Sequence, residues 1–357
     1  MPVFSRKTVI VDLGSSRTAL GVFRRAHDRL RLENFAMEIF PGQSGGEAEW
    51  LEQTRAALAR LRNRTGIGGP VVLVLPPHLT LTKLIKTPRV EPAKREQILR
   101  FEAEQSIPYA PTEVVWGTVV AAGHEHELEM LLAAAKLEAI VALCAAVRTA
   151  GFAPQLILPS SLATLAAFRL AHTAPVEPTL VLNLGSRSTT LLQVTAQRFA
   201  VRSLALGTRN IVWKTAEQQD PVALEVIATR LAQEITRSVL HFRRQGSLEN
   251  PVRVCLAGGG ARLSGMGEAL AAKLKIPVDY LDLSGRIEIG RGLAGNDAAG
   301  HALTLADLAG AAATQLLPRQ TVLNLLPPSL RQQANRRRHH QRGCGLGATR
   351  GLSPSCG

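Results

Sequence analysis

Asp12 sits near the end of an apolar run, Thr8–Leu13, that breaks at Gly14-Ser15-Ser16-Arg17 and resumes as Thr18–Phe23. The pattern returns 171 positions later, where Asn183 takes the place of Asp12 and Gly185-Ser186-Arg187-Ser188 leads into a second apolar run. Leu13, Gly14, Ser15, Thr18 and Leu20 recur as Leu184, Gly185, Ser186, Thr189 and Leu191. A strand that reverses at glycine turns successive backbone N–H groups and short hydroxyls toward one point, which suits an anionic oxygen. The carboxylate ending the first strand can meet that oxygen through Mg2+, an ion that keeps most of its waters. Two such hairpins facing each other would grip a polyphosphate from opposite sides. A third glycine cluster, Gly258-Gly259-Gly260, follows the largely apolar run Val252–Ala257 and precedes a helical stretch. Close backbone approach there would support a nucleoside. These residues therefore point to nucleotide binding, with Asp12 toward the metal.

Other constellations carry less. His124-Glu125-His126 would put two imidazoles on one strand face, but no third ligand accompanies them. Ser160-Ser161 lacks the G-x-S-x-G pattern of a nucleophile elbow and reads as a helix cap. No G-x-x-x-x-G-K-[ST] loop exists.

The elements that must position the glycine turns are legible in outline. Strands are expected at Thr8–Leu13, Thr18–Phe23 and Leu30–Ile39, a helix over Ala48–Arg62, and a fully apolar strand at Val71–Leu75. From Pro76 to Pro154 the texture changes to an alternating strand, a helix opened by Pro92, strands at Val114–Val120 and Leu128–Ala134, and a helix over Leu137–Thr149. Such a unit reads as an α+β insertion. A helix over Ser160–Ala171 returns to the first unit. The second half holds strands through Leu206, a helix over Pro221–Arg244, the glycine turn, and a last apolar helix over His301–Leu317. The fold class that follows is α/β, with two related domains: 1–75 with 155–178, and 179–317. The insertion occupies 76–154 and a segment of different character 318–357.

With 357 residues, 46% of them hydrophobic, the chain can bury more than one core. No run of 18 apolar residues exists. Four cysteines show no metal spacing or disulfide framework, so a reducing cytoplasm is expected. The net charge of +14 is uneven: beyond Asp307, the last acidic residue, come seven arginines. The rest is only mildly basic and 4% aromatic, which gives no platform for nucleic acid.

The order of motifs, two hairpin phosphate loops and then a glycine turn, resembles the actin-like (ribonuclease H-like) ATPase superfamily. The insertion narrows the resemblance. In LTLTKLIKTPRVEPAKREQILRFEAEQSIPYAPTEVVWGTVV, Glu96, Ile98, Phe101, Glu102, Ala103, Glu104, Gln105, Ile107, Pro108 and Tyr109 resemble the inserted subdomain of the PilM family of type IV pilus assembly proteins, which is similar to FtsA. AAGFAPQLILPSSLATL, QEITRSVLHFRRQ and LAGGGARLSGM extend the match, which runs roughly from Thr8 to Leu316. The resemblance implies ATP and Mg2+ as ligands, Glu234 as a residue reaching the ribose, and a cytoplasmic scaffold attached to the inner membrane through partners. It also implies departures. The family has Asp where this chain has Asn183, and an amide cannot take a proton, so ATP turnover is expected to be weak or absent. The usual lysine falls at Ala19, with Arg17 two residues earlier on the same strand face. The stretch between Gly207 and Pro221 is short, so a reduced fourth subdomain is expected.

Leu323-Asn324-Leu325-Leu326-Pro327 resembles the N-terminal peptide by which PilN, a bitopic inner-membrane partner, docks onto PilM. Cations follow it, as on the cytoplasmic flank of a spanning helix, but Gly343–Gly357 cannot span and reads as disordered. The segment is expected to fold back onto its own chain or to reach a second copy, and otherwise reads as a surface turn. Two further functions stay open at this stage: a sugar or acid kinase of the same superfamily, and an L-type cytoplasmic subunit of type II secretion.

Overall fold

The computed structural model describes residues 7–41, 45–172, 177–208, 221–246, 248–290, 293, 302–317 and 322–332. Most of the stretch between Gly207 and Pro221 lies outside them. So do Arg319, Arg336, Arg337, Arg338, Arg342, Arg350 and the segment from Gly343.

Two sheets are built on one plan. In the first, β1 (Lys7–Leu13), β2 (Arg17–Ala26) and β3 (Arg29–Ile39) form an antiparallel meander. On the other side of β1, β4 (Gly69–Leu75) and β8 (Phe152–Pro159) continue in parallel. The second sheet repeats the meander with β9 (Thr179–Leu184), β10 (Thr189–Val194) and β11 (Phe199–Leu204), then adds parallel β12 (Arg253–Ala257) and β13 (Val278–Tyr280). The equivalence extends to register. Leu13 faces Thr18 across the first hairpin and Leu184 faces Thr189 across the second, so each encloses a four-residue turn beginning with glycine.

Between β4 and β8 run β5 (Leu81–Pro88), α2 (Pro92–Ser106), β6 (Val114–Gly123), β7 (Glu127–Lys136) and α3 (Leu137–Thr149). The three strands form a separate sheet in the order β5-β7-β6. Its central strand β7 is apolar on both faces because both are covered. Met130, Leu132 and Ala134 join Leu99, Ala103 and Ile107 in a small core, while Leu131, Ala133 and Ala135 face the main one. His124, Glu125 and His126 sit in the β6–β7 turn rather than on a strand face. Among the described residues no group of three or more histidines, cysteines or acids is placed to hold a metal.

Two helices lie between the sheets. α4 (Ser160–Ala171) packs on β4, β8, β9 and β10, and α7 (Ala306–Leu316) packs on α4 and on β1 to β4. They cross at Gly310, where an added Cβ would lie 1.8 Å from the carbonyl oxygen of Ala163. The remaining helices are α1 (Glu47–Thr65) against the first sheet, and α5 (Pro221–Gly246) and α6 (Met266–Leu274) in the second unit.

The chain departs from the expected division in two ways. Residues 179–317 do not form one unit: β14 (Ile287–Ile289) pairs in parallel with β3 and caps the outer edge of the first sheet. α7 also returns there, burying Leu308, Ala309 and Ala312 in the main core. Strand β8, which sequence periodicity does not announce, starts at Phe152, inside the range assigned to the insertion.

Candidate functional site

The repeated hairpins face each other across a cavity of about 570 Å3. Asp12, Gly14, Ser15, Ser16 and Arg17 line it from the first; Asn183, Gly185, Ser186 and Ser188 line it from the second. Gly259 and Gly260 line it from the third turn. Arg187, Gly258 and Glu234 do not. Arg187 lies near enough to His78 for its charge to act on the imidazole. Gly258 lies behind the wall with φ +87, and a Cβ there would fall 2.3 Å from Asn183 Oδ1. Glu234, for which a ribose contact is expected, does not line this cavity and pairs with Arg237 along α5, where a one-turn spacing makes an ion pair on the helix surface.

Glycine is required in both turns. A Cβ on Gly14 would come within 2.9 Å of Arg17 O, and one on Gly185 within 2.7 Å of Ser188 O, because each turn closes back on its own backbone. The second turn is fastened by Gly185 N donating to Ser188 O at 3.0 Å and Thr208 N donating to Gly185 O at 3.1 Å. For the first, the indole of Trp50 on α1 donates to Gly14 O at 3.0 Å. Trp50 is buried and meets His78 edge-on at 5.3 Å. Burial, reinforced by Arg187, pushes the His78 imidazole down to about 4, so it stands neutral against the ring. Trp50→Phe would leave the Gly14 carbonyl without this donor. The expected result is a loss of about 1–3 kcal/mol in chemical denaturation.

The electrostatics centre on two carboxylates. Asp12 pairs with Arg17 at 3.1 Å, and the same guanidinium reaches Thr304 O at 3.4 Å. Burial raises the Asp12 carboxyl against the pull of Arg17. The second is Asp307, in the first turn of α7, which no glycine motif signals. It accepts hydrogen bonds from Thr164 Oγ1 (2.7 Å) and from Asn183 Nδ2 to both its oxygens (2.9 and 3.0 Å). Asn183 Nδ2 also donates to Thr164 Oγ1 at 2.8 Å. Burial first, and the charge of Asp12 second, push Asp307 up to about 7. Ser160, one turn before Thr164 on α4, lines the cavity; its buried hydroxyl has no hydrogen-bond partner among the described residues. Sequence reading missed Asp307, Thr164, Thr208, Thr304 and this role for Ser160. The only trace was a lone acid inside an apolar helix.

A second feature lies on β8, an edge of the first sheet. Leu325 N donates to Ile157 O at 2.9 Å, and Asn324 Oδ1 accepts from Ile157 N (3.0 Å) and Leu326 N (2.8 Å). Leu323, Leu325 and Leu326 are buried in the main core. Leu323 rests over Gly117 of β6, where a Cβ would come within 3.3 Å of its Cγ. Arg331 donates to the carbonyl oxygens of Asn324 and Leu326. The segment Leu323–Pro327 thus lies between the first sheet and the inserted one.

No curated protein matches the chain. Among solved structures, a PilM-PilN type IV pilus biogenesis complex superposes with a TM-score of 0.72 at 23% identity, over 88% of this chain and 100% of that one. The cytoplasmic domain of EpsL, from the type II secretion system of Vibrio cholerae, gives 0.47 at 12% identity over 91% and 99%. A Bacteroides thetaiotaomicron protein of actin-like ATPase fold gives 0.44 at 8% identity over 85% and 98%. The fold is the α/β actin-like architecture with duplicated domains and an inserted subdomain. Residues 10–198 match the sequence profile of the family described as type IV pilus assembly protein PilM, which is more than half of the chain. The chain therefore belongs to the PilM family of type IV pilus assembly proteins.

Proposed function

We propose that this protein is a nucleotide-binding scaffold of a type IV pilus assembly machine at the cytoplasmic face of the inner membrane. It recognises a short Asn-Leu-Leu-Pro peptide of a PilN-like bitopic partner. The observation that carries the reading is the seat of Leu323–Pro327. An apolar segment bonds to the open edge of β8 through one backbone and one side-chain hydrogen bond and buries Leu323, Leu325 and Leu326, a contact akin to edge-strand peptide recognition. Gly117 makes room for the first leucine, and Asn324 satisfies two backbone donors at once. The complex to which this chain is structurally similar contains PilN, which supports the same class of partner. No helix among the described residues is long and apolar enough to cross a membrane, so attachment through a partner fits.

Nucleotide binding is supported by the cavity between the hairpins. ATP suits a cradle of backbone N–H groups in which a Cβ has no room, and an unpartnered serine hydroxyl lines the wall. Asp12 and Asp307 are the oxygen donors that suit Mg2+, which needs only one or two carboxylates beside its waters and phosphate. When bound, the metal would screen the triphosphate charge. Asn183 cannot accept a proton, which supports holding nucleotide rather than turning it over.

The test uses full-length chain and a labelled peptide of residues 321–332. In wild type the tethered copy competes at an effective concentration of roughly millimolar, so a micromolar peptide should bind about 1,000-fold more weakly than its intrinsic affinity. Replacing Asn324 and Leu325 in the chain by alanine weakens the tethered copy, and the labelled peptide should then bind at micromolar concentration. Equal failure to bind wild type and variant would remove the peptide-groove reading.

A further inference from the structure

Asn183 ends its strand where the sequence resemblance leads to an acid, yet a carboxylate does occupy that part of the cavity. It comes from the other side. Asp307, 124 residues away in sequence, turns both oxygens to the Asn183 amide at 2.9 and 3.0 Å. Thr164 of α4 completes a triangle, donating to Asp307 at 2.7 Å and accepting from Asn183 at 2.8 Å. Asp12 and Asp307 line the same cavity, and Arg17 forms its ion pair with Asp12. Asp307 is held by neutral donors from Asn183 and Thr164. The Ser160 hydroxyl, on the same face of α4 as Thr164, is nine-tenths buried and lacks a partner among the described residues.

Resting on the nucleotide reading above, we propose that Asp307 is the second carboxylate of the nucleotide site, relocated from position 183 to the start of α7. Asp12 and Asp307 together receive the Mg2+ of an Mg–nucleotide, and Asn183 is the positioning residue that aims Asp307. The exchange preserves chemistry: one carboxylate and one amide face each other across 183 and 307, in reverse order. Two buried carboxylates repel each other and attract a divalent cation; Arg17 balances only one of the two charges, and the neutral amide beside Asp307 adds no cation of its own. A carboxylate at both positions would instead set two anions within hydrogen-bond distance.

The experiment is a double-variant cycle on the full-length chain: wild type, Asn183→Asp, Asp307→Asn, and both together. Each is titrated calorimetrically with ATP in Mg2+ and in EDTA, and each is melted without nucleotide. Wild type should bind ATP about tenfold more tightly with Mg2+ than with EDTA, the scale of a contact coupling. Asp307→Asn should lose most of that ratio, with the loss falling on the Mg2+ arm, since removing a carboxylate beside the phosphates eases repulsion in EDTA. Asn183→Asp should melt well below wild type in EDTA. The double variant should regain both the Mg2+ ratio and the melting temperature, because it restores one acid opposite one amide. Wild-type binding with a full Mg2+ ratio retained in Asp307→Asn would overturn the relocation alone. A double variant no better than the worse single one would also overturn it. Absence of ATP binding by wild type in either buffer would overturn the nucleotide reading, and this inference with it.

Discussion

Gly310→Ala is expected to cost about 3 kcal/mol or more in chemical denaturation, the upper end of overpacking penalties, and to leave little folded protein at elevated temperature. The added methyl would meet Ala163 O at 1.8 Å, Ala163 C at 2.7 Å and Ala167 N at 2.9 Å. All three are backbone atoms of a buried helix, so no rotamer change relieves the contact. Only separating α4 from α7 would do so, and both helices are packed between the two sheets. The damage would extend to the site. Thr164 is the neighbour of Ala163, and Asp307 lies one turn before Gly310, so separating the helices pulls the Asp307–Thr164–Asn183 triangle apart. Gly285→Ala is the control: nothing lies within 4 Å of its added methyl, and stability should stay within about 0.5 kcal/mol of wild type. Equal stability of the two variants would contradict the close crossing of α4 and α7.

What the sequence disclosed and what it hid follow from the range of the interactions involved. The hairpins were legible because a strand, a glycine turn and a strand are local, and because the chain repeats them with the same residues. β1, β2 and β3 accordingly fall within a few residues of expectation. β8 escaped because Pro154, Gln155 and Pro159 break its apolar pattern. Prolines are tolerated there since β8 is an edge strand, and the side it leaves open is where Asn324 and Leu325 bond. Asp307 escaped for a different reason. A single acid in the first turn of an apolar helix reads as a partner for the helix dipole. Its burial against Asn183 depends on α7 crossing back between the sheets, which no local pattern encodes. Glu234 took its expected role from the resemblance alone; on its helix face it pairs with Arg237.

Breaking the ion pair between Glu129 and Arg198 is expected to cost about 3–5 kcal/mol, the range for removing one partner of a buried pair. Arg198 Nη2 lies 2.6 Å from Glu129 Oε2, and both side chains are more than nine-tenths buried. Glu129 belongs to β7 of the insertion, while Arg198 immediately precedes β11 of the second sheet, which lies against β5 and β6. The pair therefore joins the inserted unit to the half of the molecule that carries the second hairpin. Arg198→Met would leave a carboxylate buried without its cation. His124, whose Nε2 stands 4.0 Å from Glu129 Oε1 on an exposed turn, is too distant to replace it. Replacing both residues by methionine removes the charges together, and much of the lost stability should return, because two packed apolar side chains cost no charge desolvation. Urea denaturation of wild type, Glu129→Met, Arg198→Met and the double variant measures the coupling. If Arg198→Met alone lost under about 1 kcal/mol, as exposed pairs do, the junction would be a wet surface contact rather than a buried tie. In the Asn324→Ala, Leu325→Ala background, where the tethered copy no longer competes, Arg198→Met should also weaken binding of the 321–332 peptide to the proposed groove. The insertion supplies Gly117 to that groove, and β6 is paired along its length to the strand that carries Glu129.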